Sequence, residues 1–135
     1  MKKAAENIII EFFQKISGVA ALYLFGSQID ASKTNRHSDI DLAVLFEHTQ
    51  KPDTFELIEI REKLADLLGR DVDLINLNNA DPILSMQVLE TGKQLWVPLT
   101  RLLDEWVVRT ITDYADLKEM RKPAEEAFLK GLKND

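Results

Sequence analysis

The fold of this chain is decided by two segments, Leu24-Phe25-Gly26-Ser27 and Ser38-Asp39-Ile40-Asp41-Leu42-Ala43-Val44, which are separated by a polar loop. The first segment closes the apolar run from Val19 to Phe25, which is typical of a buried strand and is ended by Gly26, and Asp39 to Phe46 is predicted to be a second strand. Because side chains alternate between the two faces of a strand, Asp39 and Asp41 share one face while Ile40 and Leu42 lie on the other. The sequence therefore predicts two carboxylates side by side on an otherwise apolar strand.

This carboxylate pair indicates a metal site. Two like charges on one strand face raise at least one pKa unless a cation lies between them. Carboxylate oxygens are hard ligands that suit Mg²⁺, which also binds phosphate oxygens. Two such ions would clamp a triphosphate during in-line attack at its α-phosphorus. Asp39 and Asp41 are thus the candidate catalytic and metal-binding residues.

A third carboxylate would help to bind a metal or take the proton of an acceptor. The best candidate is Asp73, in the apolar segment Asp71-Val72-Asp73-Leu74-Ile75. Asp71 is predicted to share its strand face and is the second choice.

The residues around Gly26 are candidates for phosphate binding. Gly26 lets the backbone approach a phosphate without a side-chain clash, and Ser27 offers a hydroxyl and a backbone N–H. Lys33 and Arg36, in the following loop, are candidate phosphate ligands, with plain solvation as the alternative. A Gly-Ser pair alone is a common turn, and Asp-x-Asp alone is equally well a solvated strand edge. The order of all these segments along the chain is what favours a catalytic site.

The remaining pattern predicts a single α/β (α+β) domain with a small mixed β-sheet, flanking helices and a C-terminal helical extension. Helices are expected at about 3–16, from 54 to 68, from 82 to 91 and from 99 onwards, and strands at 19–25, 39–46, 71–77 and 94–97. The apolar positions of the second helix, Leu57, Ile58, Leu64, Leu67 and Leu68, are predicted to form one stripe. The last helix is expected to kink or fray at Pro123. Residues 1–98 would form the domain, and residues 99–135 an extension packed on it that could also bind a partner.

Composition excludes several classes of protein. Hydrophobic residues make up 45% of the chain, an ordinary globular share, and 135 residues suffice for one domain. The net charge of -6 disfavours nucleic acid as the main partner. The chain contains no cysteine, which excludes disulfides and thiolate metal sites. No apolar run approaches the roughly 20 residues needed to span a bilayer, so a cytoplasmic protein is expected.

The combined motif resembles the minimal nucleotidyltransferase family of the polymerase-beta superfamily. The likeness rests on Gly26-Ser27, on Asp39-Ile40-Asp41 and on Asp71-Val72-Asp73, and continues to Glu90-Thr91-Gly92-Lys93-Gln94-Leu95-Trp96. Eleven residues separate Ser27 from Asp39, one more than is usual in the family. Gln28 stands where many relatives carry arginine.

Size and the helical extension are similar to those of the family's antitoxin branch, whose partners are HEPN-domain ribonuclease toxins. The resemblance implies a polymerase-beta-like fold and an enzyme that uses ATP and two Mg²⁺ ions to attach AMP to a toxin tyrosine. It assigns the metals to Asp39, Asp41 and Asp73, and the phosphates to Gly26 and Ser27.

Two other functions remain open from the sequence. A small-molecule nucleotidyltransferase of the antibiotic-modifying type would share the same core, although 135 residues leave little room for a drug-binding domain. An antitoxin that neutralises by binding alone would carry a vestigial site, and the three retained carboxylates argue against that decay.

Overall fold

A computed structural model describes residues 1–26 and 39–133. The helices are α1 (Lys3–Gln14), α2 (Thr54–Leu68), α3 (Pro82–Thr91) and α4 (Thr100–Lys133). The strands are β1 (Val19–Phe25), β2 (Ile40–Phe46), β3 (Val72–Asn76) and β4 (Lys93–Trp96). All eight elements lie within two residues of their predicted starts, and the α/β (α+β) class is confirmed.

The strands form one mixed sheet in the order β3-β2-β1-β4. The central strand β1 runs antiparallel to both β2 and β4, whereas β2 and β3 are parallel. A parallel pair needs a crossover connection, which α2 supplies between β2 and β3. This arrangement brings the end of β1 and the starts of β2 and β3 to one end of the sheet.

Helices cover both faces of the sheet. On one face, α1 and α2 pack through Ile9, Phe13 and Leu64 against the even-numbered residues of β2, such as Leu42. On the other face, α3 and α4 pack against a second cluster that includes Ala43, Leu45, Val88, Leu103 and Trp106. The strict alternation along β2 therefore places Asp41 on the face shared with α3 and α4.

Local sequence signals set the helix ends. The Asp53 side chain accepts from the backbone N–H of Glu56 at 2.8 Å, and the Glu56 carboxylate reaches back to the N–H of Asp53. This capping box begins α2, and Gly69 ends it in the left-handed conformation at φ 63°. At the start of α3 the Asp81 side chain accepts from the backbone N–H of Leu84 at 2.8 Å, and Pro82 occupies the first helical position.

The predicted apolar stripe of α2 is only partly buried. Leu64 is buried and Leu57 and Leu68 are half-buried, but Ile58 is 41% exposed and Leu67 is 57% exposed. The five residues of the stripe therefore do not share one buried face. These five side chains occupy a wider part of the helix surface than the part that contacts the core. Only the side of the helix that carries Leu64 lies against the core.

Helix α4 differs from prediction at its far end. In its first part, Leu103, Trp106 and Thr110 are buried. The helix then continues through Pro123 to Lys133, so it does not fray at the proline, and the expected kink stays a prediction. Every described residue of α4 after Leu117 is exposed. Because proline has no N–H, one backbone carbonyl in the preceding turn lacks its helical hydrogen bond, and at an exposed position water can bind it.

No helix within residues 1–26 or 39–133 is both long and apolar enough to cross a membrane.

Candidate active site

The candidate site lies at the end of the sheet where three strand ends meet. In β1 and β2, Phe25 pairs with Asp41; in β2 and β3, Asp41 pairs with Asp73. Asp41 is thus flanked on one side by the residue before Gly26 and on the other by Asp73. Position 39 lies two residues before Asp41 on the same strand face. The structure therefore brings Gly26, Asp39, Asp41 and Asp73 to one end of the sheet.

The carboxylates differ in burial. Asp41 is half-buried, whereas Asp39 and Asp73 are exposed. Burial raises the pKa of the Asp41 carboxyl above its ordinary value, and the negative charges of Asp73 and Asp39 raise that pKa further. The ionised form of Asp41 is therefore less favoured in the protein than in a free aspartate. A cation placed between these groups would relieve both the burial cost and the repulsion.

The donor set fits Mg²⁺ shared with a nucleotide. This ion is usually held by one or two carboxylates together with substrate phosphates and water, and seldom by a complete cage of protein ligands. Across the described ranges, no three His, Cys, Asp or Glu side chains are arranged to hold a metal by themselves. The carboxylates of Asp41, Asp39 and Asp73 thus suit an ion whose remaining ligands come from a triphosphate.

Register distinguishes Asp73 from Asp71, the two predicted choices for the third carboxylate. Asp73 lies directly beside Asp41, and its charge acts on the Asp41 carboxyl. Asp71 precedes β3, and its backbone carbonyl accepts a hydrogen bond from the N–H of Ile40 at 2.9 Å. The geometry favours Asp73, as the sequence did.

Gly26 is the one predicted phosphate-binding residue that the structure describes. It is exposed and takes the left-handed conformation at φ 75°. The other three candidates, Ser27, Lys33 and Arg36, lie outside the described residues, as does Gln28.

Sequence reasoning missed one feature of this site. A Cβ atom on Gly26 would overlap the Asp41 carboxylate, so the two residues are in direct contact. No sequence signal identifies this contact, because it depends on the register between β1 and β2.

Comparison with known proteins agrees with the geometry. The protein adenylyltransferase MntA of Shewanella oneidensis is 40% identical over 124 residues, covering 90% of this chain and 86% of that protein. A crystal structure of a toxin–antitoxin with AMP-PNP superposes with a TM-score of 0.78 and 34% identity, covering 92% of this chain and 98% of the other. A re-refined structure of a tri-AMPylated Shewanella oneidensis HEPN toxin in complex with MNT antitoxin gives a TM-score of 0.76 and 33% identity, covering 96% and 99%.

The family model described as polymerase beta, nucleotidyltransferase matches residues 7–98, which include all four strands and the three carboxylates. The resemblance inferred from the Gly-Ser and Asp-x-Asp motifs is confirmed, and so is the polymerase-beta-like fold. The chain belongs to the polymerase beta nucleotidyltransferase family.

Proposed function

We propose that this chain is a Mg²⁺-dependent protein adenylyltransferase that serves as an antitoxin, transferring AMP from ATP to a tyrosine of a HEPN ribonuclease toxin. The observation that carries the proposal is the group of three carboxylates beside Gly26 at one end of the sheet. This group occurs in a chain that is 40% identical to a protein adenylyltransferase. Because ATP is its substrate, we place the reaction in the cytoplasm.

Each site residue has a role in this reaction. Asp39 and Asp41 would hold Mg²⁺, which when bound neutralises charge on the triphosphate. The tyrosine oxygen forms a bond to the α-phosphorus of ATP, the bond from that phosphorus to the bridging oxygen breaks, and diphosphate leaves. Asp73 is exposed beside Asp41, where it could accept the tyrosine proton or help to hold the metal. Gly26 and Ser27, with Lys33 and Arg36 from the loop, would contact the phosphates.

The test is intact mass spectrometry of the cognate HEPN toxin after incubation with this protein, ATP and Mg²⁺. We expect the toxin mass to rise in steps of one AMP and its ribonuclease activity to fall. The Asp39→Asn, Asp41→Asn double variant should lose the transfer and keep its fold, because it removes like charges that repel each other.

A matched control changes the same number of charges elsewhere. Glu90→Gln with Asp104→Asn alters two exposed carboxylates outside the site and should leave transfer unchanged. Substoichiometric amounts of the protein should inactivate the toxin with ATP if the protein is an enzyme. Neutralisation that needs equal amounts and no ATP would instead support an antitoxin that acts by binding alone.

The far end of α4 is proposed as part of the toxin-binding surface. Its apolar residues continue the buried stripe of Leu103, Trp106 and Thr110 at helical spacing through Leu117 to Phe128 and Leu132. Phe128 and Leu132 are 68% and 57% exposed. Residues 118–133 also carry five basic and three acidic side chains, within a chain whose net charge is -6. An apolar stripe with basic flanks suits a groove between helices of a partner.

Deleting residues 118–135 tests this surface. The truncated protein should keep its thermal unfolding temperature, because every described residue in that segment is exposed. Its affinity for the toxin should fall, as measured by titration calorimetry. Phe128→Ser with Leu132→Ser should reproduce the loss, whereas Lys130→Ala should have a smaller effect. Unchanged affinity in the truncated protein would rule out this role.

A further inference from the structure

The backbone of Gly26 lies against the carboxylate of Asp41. Phe25, the residue before Gly26, pairs with Asp41 across β1 and β2. A Cβ atom on Gly26 would overlap Asp41 Oδ2 and would lie 3.2 Å from Asp41 Cγ. The carboxylate therefore fills the space that a side chain on residue 26 would need.

The need for glycine at position 26 has two separable causes. Gly26 has φ 75°, a left-handed conformation that favours glycine whatever its surroundings. Gly69 has nearly the same conformation at φ 63°, but a Cβ there would meet nothing within 4 Å. Both glycines thus need a left-handed backbone conformation. Of the two, only Gly26 also lacks room for a Cβ atom.

We infer that Gly26 is a positioning residue for Asp41: the missing side chain leaves a slot that holds the Asp41 carboxylate beside Asp73. The inference rests on the proposed function, in which Asp41 holds the metal. It assigns to Gly26 a role distinct from contact with a phosphate. The effect of Gly26 on metal binding would then pass through Asp41.

The way in which the clash would be relieved supports this role. The atom that a Cβ would overlap is the far end of a short side chain, and the main chain around it is fixed by strand pairing. Rotating the Asp41 carboxylate out of the slot changes one side-chain rotamer, whereas moving β1 would disturb its pairing with β2. An alanine at position 26 would therefore leave the sheet intact and misplace the carboxylate.

The decisive experiment compares Gly26→Ala with Gly69→Ala by direct titration of the whole protein with Mn²⁺, with and without AMP-PNP. Residues that orient metal ligands typically contribute about 10- to 100-fold to metal affinity. We expect Gly26→Ala to weaken Mn²⁺ binding by about that factor, and Gly69→Ala to leave it within about twofold. Both variants should lose some thermal stability, because both place alanine in a left-handed conformation. Equal Mn²⁺ affinities in the two variants would overturn the inference.

A double-mutant cycle tests whether the effect passes through Asp41. In an Asp41→Ala background the slot is empty, so adding Gly26→Ala should change the residual Mn²⁺ affinity, measured without nucleotide, by less than about twofold. If Gly26→Ala has its full effect on Mn²⁺ affinity in that background, the effect does not pass through Asp41 and the inference fails. The Mn²⁺ titrations need no toxin and no turnover. They can therefore succeed or fail separately from the proposed adenylyl transfer.

Discussion

At the scale of single residues, Asp71 and Asp73 form a matched pair with different expected roles. Both are exposed and lie two positions apart, but only Asp73 pairs with Asp41 across β2 and β3. General acid–base groups contribute roughly 100-fold or more to a rate, so we expect Asp73→Asn to slow AMP transfer by at least that factor. Asp71→Asn should slow AMP transfer by less than about tenfold, since Asp71 does not pair with Asp41. Rates of AMP incorporation into the toxin measure both, and a larger loss in Asp71→Asn would reverse the assignment.

At the scale of secondary-structure elements, Tyr23 joins β1 to the edge strand β4. Tyr23 is 1% exposed and packs against Trp106, with ring centroids 6.2 Å apart and ring planes tilted by 48°. Its hydroxyl accepts a hydrogen bond from Gln94 Nε2 at 3.1 Å. Burial raises the pKa of Tyr23 above its ordinary value, and the bond from Gln94 opposes that rise in part. Folding therefore favours the protonated hydroxyl.

This shift predicts a loss of stability at alkaline pH. A pKa that is higher in the folded protein contributes stability that is complete below the unfolded pKa, about 10 for tyrosine, and is lost as pH rises through the folded pKa. The Tyr23→Phe variant should not show this loss of stability at high pH. At neutral pH its free energy of unfolding should be lower by about 1 kcal/mol, because the hydrogen bond is missing. Urea unfolding from pH 7 to pH 11 measures both effects. Tyr114→Phe, on α4, is the control and should keep the alkaline loss; identical pH profiles for the two variants would contradict the prediction.

At the scale of the whole molecule, α4 has two halves with different roles. Trp106 is 2% exposed and packs α4 on the sheet, whereas Phe128 is 68% exposed. Trp106→Ala should lower the free energy of unfolding by about 3–5 kcal/mol, the usual cost of deleting a buried aromatic side chain. Phe128→Ala should change it by no more than about 0.5 kcal/mol, as for other surface substitutions. Chemical denaturation measures both, and a large loss in Phe128→Ala would mean that the far end of α4 supports the isolated fold.

The main features of the fold could be predicted because they depend on local patterns. The Asp53 and Asp81 caps, the glycine that ends α2 and the alternation along β2 each involve residues a few positions apart. Two features depend on more than the local pattern. The buried arc of α2 depends on how the helix sits on the sheet, and helix formation through Pro123 depends on that segment being exposed to water.

The sequence by itself determined the chemistry of this protein: carboxylates on one strand face, a glycine at a strand end, and a motif that identifies the nucleotidyltransferase family. Side-chain alternation and turn preferences are local, so these features can be read without coordinates. Only the tertiary structure decided that Asp73 lies beside Asp41 and that the Asp41 carboxylate fills the space over Gly26. Strand order and register are set by packing between residues far apart in the chain. A register shift of one residue would move every side chain of a strand to the opposite face of the sheet.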